Sequence, residues 1–289
     1  MFFNMLKTAV LLIILSGLLL LIGGLIGGTS GIKIALFISL LMNGIAFFFS
    51  DRIVLSLYGA QPLDKRKYGW IYEIVEELSQ KMRLPMPKLW LVTTPVANAF
   101  ATGRSPRHGS IAVTTGILDL LDAEELRGVL AHELAHIKNR DTLITTIAAT
   151  VASAIGHLAY MLRHAALWGS MNNDRRKENP FGLIIISILM PFAATLVQLA
   201  ISRSREYAAD DTGARCSHSP LALASALQKL EDNVKYAHMN ADNAQRTATA
   251  SLFIVHPFAG HSLSSLFATH PPISKRIARL HQLSRKIFF

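Results

Sequence analysis

Three residues near the middle of the chain, His132, Glu133 and His136, have the types and spacing that hydrolysis at a metal ion requires. Positions four apart lie on one face of an α-helix, so two imidazoles can reach one ion while Glu133 flanks its open side. Zinc takes a third protein ligand and leaves a fourth position to water. The pattern by itself also fits a helix with two structural histidines, so the third ligand decides between the two interpretations.

The sequence predicts the helix that would present these side chains. Asp122 and Glu125 have the spacing of a capping box, and acidic residues suit the positive end of the helix dipole. An apolar stripe follows at helical spacing, formed by Leu126, Val129, Leu130 and Leu134. The two histidines are therefore expected to point in the same direction.

A candidate third ligand, Glu206, lies further along in the segment 202–211. Glu206 and Asp210 are four residues apart, so Glu206 could bind the metal while Asp210 hydrogen-bonds the outer nitrogen of a ligand histidine. Asp211 points away from that face. Alone, the segment also fits the charged start of a surface helix, but together with the histidine pair it completes a metal site.

Composition points to a membrane protein. Of the 289 residues, 51% are hydrophobic and only 17% are charged, which is too apolar for an ordinary soluble domain. The single cysteine, Cys216, excludes an internal disulfide framework and fits a reducing compartment. The net charge of +10 is scattered near the ends of apolar segments, so the lipid bilayer is the expected partner and nucleic acid is not.

Two apolar runs, 8–28 and 32–50, are each long enough to cross a bilayer. A cleaved signal peptide is the alternative for the first run, but the run is too long and no A-x-A site follows it. Lys7 precedes the pair and Arg52 follows it, so the positive-inside rule places both flanks, and the domain that follows, in the cytoplasm.

Two later apolar runs, 143–167 and 181–202, form a second predicted hairpin, which either spans the membrane or is partly embedded. Both options return Glu206 to the side of His132. Between the first hairpin and the metal helix, short β-like runs at 88–93, 97–102 and 110–115 predict a small sheet.

Asn98 lies in the middle run of this predicted sheet. An edge strand can pair with an extended peptide through its backbone, and the Asn98 side chain could add a contact to such a substrate. An asparagine among small residues can equally end a strand ladder, and both interpretations remain open at this point.

The order of motifs resembles that of the HtpX-type membrane zinc metalloproteases, which are gluzincins related to the type I CAAX prenyl protease. After the N-terminal hairpin come N-A-F-A-T-G at 98–103, H-E-L-A-H at 132–136, R-E-Y-A-A-D at 205–210 and T-H-P-P at 269–272. The resemblance covers nearly the whole chain.

This resemblance implies a role for each matching residue. One zinc ion per chain would be held by His132, His136 and Glu206, with Glu133 as the catalytic acid/base. The other matched positions are Asp210 as the carboxylate behind a ligand, Asn98 on the substrate strand, His270 as a transition-state donor and Arg276 as a supporting residue. Without the resemblance, His270 before two prolines would be interpreted as a loop histidine.

The expected fold is a mainly α integral membrane protein with a gluzincin-like metalloprotease domain. It comprises a two-helix anchor at 1–50, catalytic segments at 51–142 and 203–289, a small β-sheet, and the helical hairpin 143–202 inserted between the metal ligands.

The resemblance further implies a multi-pass endopeptidase of the cytoplasmic (inner) membrane that cleaves misfolded membrane proteins under stress. Two alternatives are processing of lipidated peptides and a non-catalytic membrane zinc protein. The sequence carries no signal for an oligomeric state.

Overall fold

The computed structural model describes residues 2–147, 203–238 and 271–287. His270 and residues 148–202 of the predicted second hairpin lie outside these ranges, so the expectations attached to them stay predictions.

The chain begins with a long apolar helix, α1 (Phe2–Leu57), that is interrupted at Gly27 and Gly28. Gly28 has φ 55° and ψ −138°, a backbone conformation that a side chain would strain. Asn43 Nδ2 donates a hydrogen bond of 2.8 Å to Ser16 Oγ, which joins the two halves. Residues 2–57 thus form two antiparallel helices, and the second continues past residue 50, where the sequence placed its end.

The second half of α1 contains a segment, Gly27–Phe49, with the length and mean hydropathy (23 residues, 2.1) of a membrane span. Within the described ranges it is the one helix segment that meets these criteria. Its apolar side chains face outward: Phe37 is 69% exposed. Exposed apolar surface on this scale suits lipid better than water. That residues 8–28 also cross the bilayer stays a prediction.

The predicted small sheet is confirmed, with one additional short strand. Its strands are β1 (Gln61–Pro62), β2 (Lys88–Val92), β3 (Ala99–Thr102) and β4 (Ser110–Thr114), in the spatial order β1-β2-β4-β3. β2 and β4 are parallel, with Leu89 opposite Ile111, whereas β1 and β3 run antiparallel to their neighbours. Among the described strands β3 is therefore an edge strand.

Helix α2 (Gly69–Met82) shares one hydrophobic core with this sheet and ends where Arg83 takes a left-handed conformation before Pro85. Its buried apolar face consists of Ile71, Val75, Leu78 and Met82. The sequence pattern predicts a helix over 66–83 with Trp70, Ile74, Val75 and Leu78 facing inward, but Trp70 is 40% exposed. Adjacent residues of an α-helix are about 100° apart, so Trp70 points away from the face on which Ile71 is buried.

A short helix, α3 (Thr115–Leu120), leads into the histidine helix, α4 (Ala123–Asn139). The predicted capping box is confirmed: Glu125 N donates to Asp122 Oδ1 at 2.9 Å, and Asp122 N donates to Glu125 Oε2 at 3.0 Å. The four residues of the predicted apolar stripe are fully buried. Glu125 also accepts a 2.7 Å hydrogen bond from Lys229 Nζ, which joins α4 to a later helix.

Two later helices, α5 (Arg203–Ser217) and α6 (Pro220–His238), pack against α4, and α7 (Ile273–Ile287) packs against both of them. Glycines allow the closest contacts. A Cβ added at Gly213 of α5 would lie 2.8 Å from His132 N, and one added at Gly128 would lie 2.9 Å from Leu223 N of α6. Backbone-to-backbone contact at Gly213 thus places α5 directly against the histidines of α4.

Candidate metal centre

His132, His136 and Glu206 converge on one point between α4 and α5. His132 Nε2 lies 3.2 Å from His136 Nε2 and 3.6 Å from Glu206 Oε2, and His136 Nε2 lies 3.4 Å from Glu206 Oε1. Ligands of a tetrahedral ion with bonds of about 2.0–2.1 Å, as zinc makes to nitrogen and oxygen, stand about 3.3 Å apart. The three side chains therefore fit a metal ion without rearrangement.

The outer nitrogens of both histidines face carboxylates. His132 Nδ1 is 3.0 Å from Asp210 Oδ1, and His136 Nδ1 is 3.2 Å from Asp141 Oδ2. A carboxylate can only accept, so each Nδ1 carries the proton. In a neutral imidazole the Nε2 atom then has a lone pair, so two Nε2 atoms 3.2 Å apart require a cation between them, either a proton or a metal ion. With the Glu206 carboxylate beside them, the two nitrogens form a group that can hold a metal ion.

Arg276 of α7 fixes Asp210 from behind. Its guanidinium donates two hydrogen bonds to that carboxylate, from Nε at 2.8 Å and from Nη2 at 2.7 Å, and is fully buried at 0% exposure. Burial alone would raise the pKa of Asp210, but the charge and hydrogen bonds of Arg276 hold it well below its ordinary value. Asp210 is thus a permanent anion that orients His132.

The pKa of His132 reflects the same anions. Burial on its own lowers this pKa, but hydrogen bonds to Asp210 and Glu206 outweigh burial and raise it to about 9. Without metal, a proton therefore occupies His132 at neutral pH.

A binding metal must displace that proton, because only neutral imidazole ligates. We expect zinc binding to the metal-free protein to release about one proton from His132 at about pH 7.5, and the release to decline as the pH rises through about 9. Calorimetry in two buffers of different ionisation enthalpy measures the release. If zinc binding releases the same number of protons at about pH 7.5 and about pH 10, His132 is not the group that loses the proton.

Glu133 lies beside the three ligands and is held by the sheet. Its Oε2 accepts a 2.7 Å hydrogen bond from the N–H of Ala101, on the edge of β3 that is not paired with β4. Burial raises the pKa of Glu133, and the negative charge of Glu206 raises it further. The two histidines lower it, but burial has the larger effect. A carboxylate with a raised pKa is a better proton acceptor near neutral pH.

The structure brings together six of the eight residues that the sequence singled out. These are His132, Glu133, His136, Glu206, Asp210 and Arg276. Asp211 faces away and pairs with Arg215 at 3.1 Å, as its position predicts. Asn98 is 2% exposed and directly precedes β3, so its substrate role stays a prediction, as does that of His270.

Two further residues of the site were not recognised from the sequence. Asp141 follows the helix end at Arg140, and its signal was an acidic residue five positions after a ligand histidine. Arg205 places Nε 4.0 Å from Asp141 Oδ1. Its terminal nitrogens are buried with no hydrogen-bond partner in the described part of the chain. Its sequence signal was only its position beside Glu206.

Replacing Asp141 by Asn is expected to weaken metal binding about 10- to 100-fold, because an amide orients His136 and supports its basicity less well than a carboxylate does. Competition with a chromophoric zinc chelator measures the affinity. The control is Asp211→Asn, which removes the same charge from an exposed pair on α5. Equal affinities for Asp141→Asn and the unmodified protein would exclude this role.

Comparison with known proteins agrees with this geometry. The family model "Peptidase family M48" matches residues 65–284. A "Protease HtpX homolog" of Aquifex aeolicus is 50% identical over 277 residues, covering 94% of this chain and 90% of the relative. Another, of Pyrococcus furiosus, is 50% identical over 281 residues, covering 97% and 96%.

Among solved structures, the "Crystal Structure of S. mikatae Ste24p" matches with a TM-score of 0.50 over 96% of this chain and 66% of that chain. At 18% identity the likeness shows a common fold alone. Members of the matched family are metal-dependent peptidases, and a buried pair of histidines with a glutamate is the site that such an enzyme needs. The chain therefore belongs to peptidase family M48 and is a metalloprotease.

Proposed function

We propose that the protein is a membrane-bound, zinc-dependent endopeptidase that degrades misfolded membrane proteins. The observation that carries the zinc-dependent chemistry is the pair of Nε2 atoms 3.2 Å apart, with both Nδ1 atoms on carboxylates and Glu133 alongside. Two nitrogen ligands and one oxygen ligand in tetrahedral spacing favour zinc over magnesium or calcium, which prefer six or more oxygen ligands.

In this proposal His132, His136 and Glu206 hold the ion. When bound, zinc acts as a Lewis acid that polarises a peptide carbonyl and makes a water molecule more acidic. Glu133 takes a proton from that water and later gives it to the departing amine. The Ala101 N–H restrains Glu133 Oε2, so the proton acceptor stays in place through the reaction. Hydrolysis then needs no covalent acyl-enzyme.

The substrate is proposed to bind along β3. Glu133 contacts this edge strand at Ala101, so an extended peptide paired with the strand beside Ala101 would present its backbone to the catalytic carboxylate. Asn98 precedes the strand and is proposed to contact the peptide. His270 is proposed to donate a hydrogen bond to the developing oxyanion. Arg276 is proposed as a supporting residue, through its hydrogen bonds to Asp210.

Strand pairing requires a substrate segment with unpaired backbone groups. Folded proteins rarely offer such a segment, whereas misfolded chains do. The apolar segment Gly27–Phe49 supports anchoring beside the bilayer. Damaged membrane proteins, under stress in particular, are therefore the proposed substrates.

The proposed topology keeps both halves of the catalytic domain, 51–142 and 203–289, on the cytoplasmic side of the inner membrane. The anchor 1–50 and the hairpin 143–202 each return the chain to that side. Arg52 and Arg104, next to the aromatic end of the span, support this orientation because basic residues favour the cytoplasmic face.

The test compares cleavage of one protein in its folded and its reduced, unfolded form by the full chain purified in detergent. We expect cleavage inside the unfolded form, loss of that activity with a chelator, and recovery with stoichiometric zinc. Activity that persists after complete metal removal would overturn the zinc assignment. Equal cleavage of the folded form would overturn the preference for misfolded substrates.

A further inference from the structure

A cavity of about 880 Å³ opens between the end of α2, the β3–β4 connection and the end of α4. Five of its lining residues are cationic, and the described lining contains no acidic residue. We call this site the basic cavity; its cations are Lys81, Arg83, Arg107, Lys138 and Arg140.

Four of these cations make no ion pair within the described ranges, since only Lys81 has an acidic partner, Glu77 at 2.8 Å. Cations at the carbonyl end of a helix stabilise its dipole, which accounts for a basic residue at the ends of α2 and α4. That effect does not account for Arg107, which reaches the same cavity from the β3–β4 connection. Unpaired like charges from three elements indicate a site for an anion.

The β3–β4 connection lies against the end of the apolar span. Arg104 Nη1 donates to the backbone oxygen of Phe48 at 3.1 Å, and its guanidinium carbon is 5.6 Å from the centroid of that ring. Arg52 lies over Phe49 at 5.7 Å. Aromatic and basic residues together at the end of an apolar helix are typical of the bilayer–water boundary.

The basic cavity is therefore close to that boundary. Arg107 is three residues from Arg104, and three residues span at most about 10 Å. The headgroup layer is about 5–7 Å thick on each side, and charges act over about 8 Å in physiological salt. At the other wall, Arg140 precedes the apolar run 143–167 in the sequence.

From this placement we propose that the basic cavity binds the phosphate headgroup of an anionic membrane phospholipid. The proposal rests on the membrane anchoring within the proposed function, but it does not depend on catalysis. The cations would meet the phosphate, and Leu84, Pro85 and Pro106 supply apolar surface for the glycerol and first methylenes. The lipid would thereby hold the catalytic domain at the bilayer surface.

The test counts lipids bound to the detergent-purified full chain by native mass spectrometry. Phosphatidylglycerol and phosphatidylcholine are titrated separately into the unmodified protein and a triple variant, Arg83→Asn, Arg107→Gln and Lys138→Gln. Arg140 is left unchanged because it adjoins Asp141. The charge-matched control is Lys275→Gln, Arg285→Gln and Lys286→Gln, three exposed cations of α7.

We expect the unmodified protein to bind phosphatidylglycerol at least about tenfold more tightly than phosphatidylcholine. Each cation near a membrane surface changes lipid affinity about fivefold, so the triple variant should bind phosphatidylglycerol about 100-fold more weakly. The α7 control should be unchanged. Equal binding of the two lipids, or an equal loss in the control, would overturn the proposal.

Inorganic phosphate at about 10 mM separates a lipid site from a free-phosphate site. Displacement of phosphatidylglycerol by this concentration would mean that the cavity takes free phosphate, which also overturns the proposal.

If the triple variant fails to fold, the single change Arg107→Gln, at an exposed position of the connection, serves in its place with an expected loss of about fivefold. No loss in that folded variant contradicts the proposal. Lipid counts do not depend on proteolysis, so this test and that of the proposed function fail separately.

Discussion

Replacing Glu133 by Gln is expected to reduce peptide hydrolysis about 10²- to 10⁴-fold while the metal content remains that of the unmodified protein. Glutamine has nearly the same shape, and its amide oxygen can still accept the Ala101 N–H. It cannot take a proton from water at neutral pH. Glu133 is not one of the three side chains that converge on the metal position, so the ion should stay bound.

Initial cleavage rates of an unfolded substrate, together with zinc measured by atomic spectrometry, check this expectation. The control is Glu124→Gln, which makes the same change at an exposed position in the first turn of the same helix. Its activity should match that of the unmodified protein. Activity of Glu133→Gln within about twofold of the unmodified protein would contradict general-base catalysis by Glu133.

Replacing Gly213 by Val is expected to destabilise the fold by about 1–3 kcal/mol and to lower zinc affinity sharply. In most helices, replacing glycine by a residue with a side chain is neutral or stabilising by up to about 1 kcal/mol. At Gly213 the new Cβ would lie 2.8 Å from the backbone nitrogen of His132, so α5 must move away from α4. Glu206 belongs to α5, and its distance from the two histidines would grow with that movement.

Thermal unfolding with and without zinc, and a zinc titration, measure both effects. Gly69→Ala is the matched control because an added Cβ at Gly69, the first residue of α2, meets nothing within 4 Å. We expect it to leave unfolding temperature and zinc affinity nearly unchanged. An unfolding temperature and affinity of Gly213→Val equal to those of the unmodified protein would show that the α4–α5 contact tolerates displacement.

The features predicted correctly from the sequence are those that depend on neighbours within one or two helical turns. The capping box of Asp122 and Glu125 and the shared face of His132 and His136 follow from helix geometry alone. The contact of Asp210 with a ligand histidine follows from its four-residue spacing to Glu206, once Glu206 is taken as a ligand.

The features that were missed depend on where the chain goes between elements. Trp70 faces outward because α2 turns the face that contains Ile71 and Val75 toward the core. The spacing of apolar residues in the sequence did not show which of two neighbouring residues lies on that face. Asp141 reaches His136 only because Arg140 takes a left-handed conformation and turns the chain back. The restraint on Glu133 comes from a backbone N–H of Ala101, a group that every residue except proline carries.

The sequence by itself determined the candidate metal ligands, with the two histidines on one helix face and Glu206 and Asp210 on one face of another, because covalent geometry sets distances within a helix. The tertiary structure alone decided that the histidine helix and the glutamate helix meet at ligand distance. That approach depends on a backbone contact at Gly213 and on the buried guanidinium of Arg276 between them. The raised pKa values of His132 and Glu133 also follow from this packing, because burial and opposing charges exist only once the helices are assembled.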